Sequence, residues 1–265
     1  MRLEGKTAIV IGAGQGQGTG MGNGRATVLR FAQEGAKVMA VDRDLGSAKE
    51  TVSMAGPAAD CFAYEADVTR EATLQAAIAA AKARWGRIDV LHYNVGVSIA
   101  GGDASPTEIT EEAFDRVTAI NLRGAIMACK HVLPIMREQR SGCILMISSL
   151  AAVEKYPLVT YKATKAAMIA YTQQLAIQNA EYGVRANVIL PGLMDTPMAV
   201  DTRARATGKS RAEIAAMRDA KVPLRHKMGT AWDVANAALF LASDEAGFIT
   251  GVSLLVDGGG ALNTG

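Results

Sequence analysis

The sequence is poor in the side chains that build disulfide frameworks and metal sites. Its cysteines are an odd number with no C-x-x-C spacing: Cys61, Cys129 and Cys143. Small buried thiols in a reducing compartment fit this pattern better than disulfides or zinc ligands. Its histidines show no paired ligand spacing such as H-x-x-x-H: His92, His131 and His226. A metal site therefore has little support in the sequence.

Long apolar runs are missing as well. No stretch reaches the ~18 consecutive apolar residues that indicate a membrane-spanning helix. Residues 1–6 lead directly into a short apolar strand, without the apolar core of a signal peptide. We therefore expect a cytoplasmic protein with no membrane partner.

Neither sign of charge dominates the chain. The formal net charge is +2, so no strong overall field would recruit nucleic acid or an anionic membrane. Residues 201–227 are an exception, because eight Lys or Arg against three Asp or Glu give this segment a charge of +5. A charge run of this kind usually marks a solvated helical surface. With 49% apolar and 20% charged residues, disorder is excluded.

Glycine, by contrast, is abundant, with 27 among 265 residues. Seven glycines occupy every second position of one stretch: Gly12, Gly14, Gly16, Gly18, Gly20, Gly22 and Gly24. The excess over the usual ~7% is therefore one loop, and not a fibrous or low-complexity composition.

Strands and helices alternate along the whole chain. Apolar runs predict strands at 7–11, 37–41, 61–65, 88–93, 142–148, 184–190 and 252–256. Helical periodicity and capping signals predict helices at 25–33, 45–55, 69–85, 110–133, 161–182 and 232–243, the fourth of them stopped near Pro134. Continuous apolar strands separated by helices indicate a parallel sheet covered on both faces. The prediction is one α/β domain over residues 1–265, a doubly wound parallel sheet of about seven strands with helices on both faces.

A strand that runs into a glycine-rich turn and then a helix is a phosphate-binding arrangement. Because the strand ends at Ile11, Gly12 is expected to make the first turn. Because the helix begins after Gly24, Gly22 and Gly24 are expected to be the closely packed pair. About six inserted residues remain, and the stretch from Gly14 to Gly20 is either a floppy extension or a segment with specific contacts.

Acidic residues follow the second and third strands. Asp42 can accept hydrogen bonds from both adenosine ribose hydroxyls, and its carboxylate would repel a 2′-phosphate, so NAD is favoured over NADP. Arg43 is the opposing signal, although no Lys or Arg lies in residues 12–24 to help it hold a phosphate. The Asp67-Val68 pair can hold the adenine amino group, and it can also belong to a helix N-cap with Thr69.

Tyr161 and Lys165 are spaced i and i+4, which places both side chains on one face of a helix. A phenol with its ordinary pKa of ~10 is a poor base at neutral pH. A neighbouring ammonium and a positive nicotinamide ring would favour the phenolate, as a metal-free alcohol dehydrogenase requires. Alone, this spacing is common on helix surfaces.

An ordered series of motifs accompanies the Y-x-x-x-K pair. It comprises G-x-(n)-G-N-G-R-A at 12–26, V-D-R at 41–43, D-V at 67–68, N-V-G at 94–96, N-L-x-G at 121–124, I-S-S at 147–149, P-G-x-x-x-T-P-M at 191–198 and F-I-T-G with V-D-G-G at 248–259. Over essentially residues 5–260, the chain resembles the classical short-chain dehydrogenase/reductase family. The resemblance implies a Rossmann-like fold, oxidoreductase activity and a homotetramer assembled through the helices at 113–133 and 160–182.

The resemblance also implies a role for each matching residue. Tyr161 would be the general acid/base, Lys165 would lower its pKa and hold the nicotinamide ribose, and Ser149 would polarise the substrate oxygen. Asn121 would hold a water for a proton relay through Lys165. The implied coenzyme residues are Gly12, Gly22, Asn23, Gly24, Asp42, Arg43, Asp67, Val68, Asn94, Gly96, Tyr161, Lys165, Pro191, Gly192 and Thr196.

Three features depart from the family pattern. Ser148 lies thirteen residues before Tyr161, the usual family spacing, whereas alignment of the I-S-S motif selects Ser149, with one residue deleted from 150–160. Residues 93–96 replace an N-N-A-G turn, with Val95 in the place of an alanine. The glycine loop carries the insertion.

The expected substrate wall at 97–100, 151–156 and 194–206 is largely apolar, which predicts a hydrophobic or aromatic secondary alcohol or its ketone. Met194 and Met198 could instead only pack the lid, which is predicted at 194–227. The +5 segment could instead recognise a carboxylate or a phosphorylated carrier.

The expected activity is NAD-dependent hydride transfer between nicotinamide and such an alcohol or ketone. The alternative is an NADPH-dependent reductase of a 3-oxoacyl thioester. A non-catalytic nucleotide sensor is a third hypothesis, and a sensor would have no need for the set Asn121, Ser149, Tyr161 and Lys165.

Overall fold

The computed structural model describes residues 1–263. In chain order, the strands are β1 Thr7–Ile11, β2 Lys37–Asp42, β3 Cys61–Glu65, β4 Val90–Tyr93, β5 Gly142–Ile147, β6 Val184–Pro191, β7 Met194–Asp195, β8 Gly229–Thr230 and β9 Ser253–Val256. Seven of them form a central parallel sheet in the order β3-β2-β1-β4-β5-β6-β9, which confirms the predicted doubly wound sheet. The short strands β7 and β8 pair with each other outside the main sheet. The strand order reverses between β1 and β4, where a doubly wound sheet opens a crevice for ligands.

Helices cover both faces of the sheet. They are α1 Asn23–Gln33, α2 Leu45–Ala55, α3 Glu71–Trp85, α4 Glu111–Thr118, α5 Gly124–Gln139, α6 Val159–Asn179, α7 Thr202–Thr207, α8 Arg211–Asp219 and α9 Ala231–Ala242. Ile9 and Ile11 of β1 pack against α3, α5 and α6, whereas Ala8 and Val10 pack against α1 and α9. Because successive side chains of a strand point to opposite faces, strands buried on both sides must be apolar throughout.

The predicted end of a helix near Pro134 is wrong. A π-helical turn at Ala119–Arg123 joins α4 to α5, and α5 continues through Pro134 to Gln139. The Pro134 ring is exposed, so the carbonyl that loses its helical partner can meet water. Buried side chains on the opposite side of α5, among them Val132 and Met136, hold the helix against the sheet.

Two elements begin two residues later than the sequence predicts. Strand β4 begins at Val90 because the Gln139 side chain bonds both backbone groups of Ile88, each at 2.8 Å. Helix α3 begins at Glu71, and Thr69 lies in the turn that precedes it. Both differences depend on side-chain contacts that strand and helix periodicity does not register.

Residues 194–227, hereafter the lid segment, have a small apolar core of their own. Val200, Ile214, Val222 and the adjoining Met228 form this cluster, separate from the two cores that cover the sheet. Helices α7 and α8 are therefore held in place by packing.

No helix among residues 1–263 is both long and apolar enough to cross a membrane. The same residues contain no group of three or more His, Cys, Asp or Glu side chains suited to a metal ion. Cys129 and Cys143 are buried free thiols, and Cys61 is a half-buried one.

Candidate active site

A cleft of about 690 Å³ lies at the carboxyl ends of β1, β2, β4, β5 and β6. All fifteen residues predicted to bind the coenzyme line it, and so does Ser149. Asn121 does not line the cleft, because its side chain is fully buried behind the wall. The fold thus brings together segments from position 12 to position 196 along one edge of the sheet.

The turn after β1 is closed by the direct approach of two glycines. Gly12 has a φ of +84°, a left-handed conformation that glycine adopts without strain. A Cβ on Gly24 would lie 1.9 Å from the Gly12 carbonyl oxygen, so no side chain fits between turn and helix. The predicted close packing of Gly22 is wrong, because a Cβ on Gly22 would meet its nearest neighbour, Gln15 Oε1, only at 3.6 Å. Asn94 donates to that oxygen at 3.0 Å, and the Val95 side chain fills the space that a Cβ on Gly12 would need. Helix α1 begins at Asn23, so its N-terminal N–H groups lie against the cleft.

The inserted part of the glycine loop folds back on itself. The Gly22 N–H donates to Gln15 Oε1 at 2.8 Å, and Gln15 Nε2 donates to the Gly20 carbonyl at 3.1 Å. One glutamine side chain thereby closes the stretch from Gln15 to Gly22 into a compact loop beside the cleft.

The tip of this loop contacts the lid segment. The Thr19 N–H donates to Asp201 Oδ1 at 3.2 Å, and Arg205 donates to the Gln17 carbonyl at 3.3 Å. A Cβ on Gly18 would lie 2.6 Å from Asp201 Cγ, so the contact is close. Arg211 holds Asp201 from the other side, with Nε 3.3 Å from Oδ2. The insertion therefore makes specific contacts, and the floppy-extension alternative is wrong.

Carboxylates line the end of the cleft at β2 and β3. Asp42 accepts the Gly14 N–H at 2.9 Å and the Asp44 N–H at 3.1 Å, which fixes its orientation. Burial raises the pKa of Asp67, but hydrogen bonds from Thr69 and the charge of Arg43 act against it, and the pKa lies below its ordinary value. Asp67 bonds Thr69 within the turn before α3 and lines the cleft, but it does not cap the helix, because Arg70 holds the N-cap position without a side-chain hydrogen bond.

Tyr161 and Lys165 lie on the first turns of α6, with the lysine amine 5.8 Å from the centre of the phenol ring. Lys165 is buried and donates to the Ile147 carbonyl at 2.7 Å. Burial lowers the pKa of Lys165 to about 7. Burial also raises the pKa of Tyr161 to about 12, despite the opposing effects of the Ser149 hydroxyl and the Arg203 charge. Without a bound coenzyme, the effect of desolvation on the pKa of Tyr161 outweighs the effects of these polar neighbours. The predicted lowering of that pKa by Lys165 therefore stays a prediction.

The two candidate serines face different ways. Ser148 is buried, and its hydroxyl donates to the Lys165 carbonyl at 2.7 Å. Ser149 is half-buried in the cleft, close enough to lower the pKa of Tyr161, and its oxygen accepts the Ala151 N–H at 3.1 Å. The geometry favours Ser149 as the residue that meets a substrate.

Asn121 lies in the π-helical turn and clamps a loop of the cleft. Its Oδ1 accepts the Val97 N–H at 2.8 Å, and its Nδ2 donates to the Val97 carbonyl at 3.0 Å and to Thr164 Oγ1 at 3.2 Å. Both ends of the carboxamide are thus engaged in positioning Val97, and the water relay through Asn121 stays a prediction.

Sequence reasoning missed a buried carboxylate that caps the tyrosine helix. Asp103 accepts the Thr160 N–H at 3.0 Å and the Tyr161 N–H at 2.8 Å, across 57 and 58 residues of chain. A carboxylate at a helix N-terminus accepts hydrogen bonds from the free backbone N–H groups and interacts favourably with the helix dipole. No local pattern indicates this contact, because α4, α5 and β5 separate Asp103 from α6 along the chain.

Four arginines at the cleft were also missed as individual site residues: Arg116, Arg203, Arg205 and Arg218. The last three belong to the basic run at 201–227, for which the sequence left open a solvated surface or the recognition of an anion. Their inward orientation could not be read from the composition of that run.

Known proteins resemble this chain over nearly its whole length. A family model described as Enoyl-(Acyl carrier protein) reductase matches residues 16–261. Levodione reductase of Leifsonia aquatica is 35% identical, over 97% of this chain and 95% of its own. The 3-oxoacyl-acyl-carrier-protein reductase FabG of Thermotoga maritima is 35% identical, over 98% and 99%. A crystal structure of a short-chain dehydrogenase/reductase from Burkholderia xenovorans superposes with a TM-score of 0.89 at 40% identity, covering 100% of this chain and 99% of that one.

Proposed function

This chain belongs to the short-chain dehydrogenase/reductase family, and we propose that it is an NAD-dependent oxidoreductase that interconverts a secondary alcohol and its ketone. The observation that carries the proposal is the position of Tyr161, with Ser149 and Lys165 beside it in one cleft. The lid segment would close over the substrate end of a single catalytic domain.

The residues present fit a dinucleotide. The close approach of Gly12 and Gly24 leaves room for a pyrophosphate beside the start of α1, and a Cβ on Gly96 would lie 2.9 Å from Lys165 Nζ. Asp42 and Asp67 would hold the adenosine, and Asn94, Pro191, Gly192 and Thr196 would position the nicotinamide. Lys165 would hold the nicotinamide ribose.

The reaction needs a base at the substrate oxygen and a donor that stabilises developing charge. Tyr161 Oη would take the alcohol proton in oxidation and return it in reduction, while the Ser149 hydroxyl donates to the same oxygen. When bound, an oxidised nicotinamide would supply the hydride acceptor and a positive charge that favours the Tyr161 phenolate. Lys165 would supply further positive charge one helical turn away, and Asn121 would hold the Val97 loop that borders the site.

NAD is proposed over NADP because the Asp42 carboxylate lies where the adenosine ribose would bind. A 2′-phosphate there would be repelled, although Arg43 lies beside it. The test is the ratio of kcat/KM for NAD to that for NADP, before and after Asp42→Ala. We expect a ratio well above one that falls at least about tenfold in the variant. A wild-type preference for NADP would overturn this part of the proposal.

A second candidate function is reduction of a 3-oxoacyl thioester with NADPH. The basic charge of the lid segment favours it, since a carrier phosphate is an anion, and the relative from Thermotoga maritima carries that name. Assays with an acetoacetyl thioester and NADPH, beside secondary alcohols with NAD, would separate the two activities.

The decisive experiment is Tyr161→Phe, which removes only the phenolic hydroxyl. Loss of a general acid/base should lower kcat by about 10²- to 10⁴-fold. Ser149→Ala should lower kcat more than Ser148→Ala does. Unchanged turnover in Tyr161→Phe would mean that the catalytic assignment is wrong.

A homotetramer in the cytoplasm is proposed as the working form. Phe114 on α4 and Ile177 on α6 are exposed apolar side chains on the two helices that the sequence assigns to an interface. A monomer by light scattering at micromolar concentration would contradict this assembly.

A further inference from the structure

Two arginines of the lid segment reach the same part of the cleft as Tyr161. Arg203 lies on α7 and Arg218 lies on α8, and the small core of the lid segment joins these helices. Both side chains are half-buried and line the cleft beside Tyr156 and Tyr161, whose rings lie 5.6 Å apart. The basic run is therefore not entirely a solvated surface.

The two guanidinium groups lie close to each other and to the phenol. Burial and the charge of Arg203 together lower the pKa of Arg218 to about 10, against the opposing effects of Tyr156 and Asp195. The charge of Arg203 also opposes the effect of burial on the pKa of Tyr161. Two like charges thus share a partly desolvated space at the candidate reaction centre.

Neither arginine has an anionic partner within residues 1–263. Arg211 of the same segment is paired with Asp195 and Asp201, whereas no carboxylate oxygen in the described part of the chain lies within 4.0 Å of Arg203 or Arg218. Arg203 Nη1 donates to the Ala199 carbonyl at 2.8 Å.

For Arg218, the hydrogen bond found is from Nε to the Met228 sulfur at 3.3 Å, a weak acceptor. Glu154 lines the same cleft and pairs with neither arginine. Several of the ten N–H donors on these two side chains are therefore free for a ligand.

We propose that Arg203 and Arg218 form a subsite for an oxyanion of the substrate, so that the enzyme acts on a hydroxy acid or keto acid rather than on a neutral alcohol. An oxyanion between them would relieve the repulsion of two like charges and accept charge-assisted, bidentate hydrogen bonds. A carboxylate, a sulfonate and a phosphate share this chemistry. The inference rests on the oxidoreductase activity proposed above and adds the class of substrate.

The remainder of the wall limits the shape of that substrate. Ile99, Met198 and the Tyr156 ring line the cleft between the sheet and the lid segment. A short apolar chain would pass these side chains, with its oxygen at Tyr161 and its anionic group at the arginines. The predicted hydrophobic wall would thus contact the middle of the substrate, and the two arginines would bind its anionic end.

The test compares two substrates of the same chain length, one ending in a carboxylate and the other in a neutral carboxamide of similar size. The kcat/KM values of 5-hydroxyhexanoate and 5-hydroxyhexanamide are measured with NAD for the wild type, Arg203→Met, Arg218→Met and the control Lys209→Met. Lys209 is an exposed cation of the same segment that does not line the cleft. We expect an acid/amide ratio above about ten, lowered at least about tenfold in each arginine variant and unchanged in the control.

Because the test compares the ratio of kcat/KM for the acid to kcat/KM for the amide, a general loss of activity in a variant leaves that ratio unchanged. Equal use of acid and amide by the wild type would overturn the subsite and leave the oxidoreductase activity intact. Calorimetric binding of 5-oxohexanoate and 5-oxohexanamide to the NAD-loaded protein gives a readout independent of turnover. Preferential binding of the acid that depends on both arginines, without turnover, would support the subsite and count against the proposed reaction. Equal binding of both compounds would overturn the subsite.

Discussion

The two ends of the cleft are built in different ways. At the coenzyme end, backbone atoms approach closely where glycine leaves out a side chain, as between Gly12 and Gly24. At the substrate end, charged side chains on a small separate core, among them Arg203 and Arg218, project into the cleft. Backbone geometry suits a constant ligand such as a dinucleotide, whereas long side chains are replaceable and suit a substrate that differs among relatives. The loop tip at Thr19, held by Asp201, joins the two ends.

The largest expected effect separates two glycines of the same loop. Gly24→Ala places a Cβ 1.9 Å from the Gly12 oxygen, whereas Gly16→Ala meets nothing within 4 Å. Overpacking of about 3 kcal/mol predicts a rise of about 100-fold in the Kd for NAD in Gly24→Ala, or loss of the native fold. Fluorescence titration and circular dichroism would measure both. Equal Kd values in the two variants would mean that close backbone approach does not define the coenzyme end.

Acid should weaken the sheet beneath the coenzyme end. His92 on β4 is fully buried, neither of its ring nitrogens has a partner within residues 1–263, and burial lowers its pKa to about 4. Since the unfolded chain binds this proton below about pH 6.5, the free energy of unfolding should fall as the pH drops from 6.5 to 4, by about 3 kcal/mol from this residue.

Urea unfolding of the wild type and His92→Leu at pH 7.5 and pH 4.5 would measure this contribution. The stability lost on acidification should be smaller in His92→Leu. Identical losses of stability in both proteins would mean that His92 has the same pKa in the folded and in the unfolded protein.

At the substrate end of the cleft, the fixed position of Tyr161 at the start of α6 should depend on Asp103. Asp103→Ala removes the acceptor of the Thr160 and Tyr161 N–H groups, and a lost cap predicts a fall of about tenfold in kcat with a smaller change in KM. Asp103→Asn should restore part of the rate. Thr110→Ala removes the cap of α4 and is the matched control, because it should lower stability without a similar loss of kcat.

The smallest expected effect concerns the contact between the two ends. Asp201→Ala frees the loop tip, and loss of a hydrogen bond to a charged group predicts an increase of about threefold in the Kd for NAD. Asp219→Ala, elsewhere in the lid segment, removes a comparable bond to the Met228 N–H and should leave that Kd unchanged. A larger effect of Asp219→Ala would mean that general loosening of the lid segment, and not the loop contact, affects the coenzyme.

The sequence predicted the coenzyme end more fully than the substrate end. β1, α2 and β3 were predicted with the bounds that the structure has, and every predicted coenzyme residue lines the cleft. These features are local, because apolar runs, glycine turns and an acidic residue after a strand lie within a few positions of one another. The interruption at Pro134 was predicted wrongly because the packing of α5 overrides the local signal.

The sequence by itself determined the alternation of strands and helices along the chain, the glycine turn after β1 and the Tyr161–Lys165 pair, since each depends on neighbouring residues. Only the tertiary structure decided that Ser149 rather than Ser148 faces the phenol, that Asp103 caps α6, and that the glycine insertion docks on Asp201. The physical reason is separation along the chain. Contacts that span 58 residues, or the 182 between Thr19 and Asp201, leave no periodic trace in the sequence and exist only once the sheet has brought their partners together.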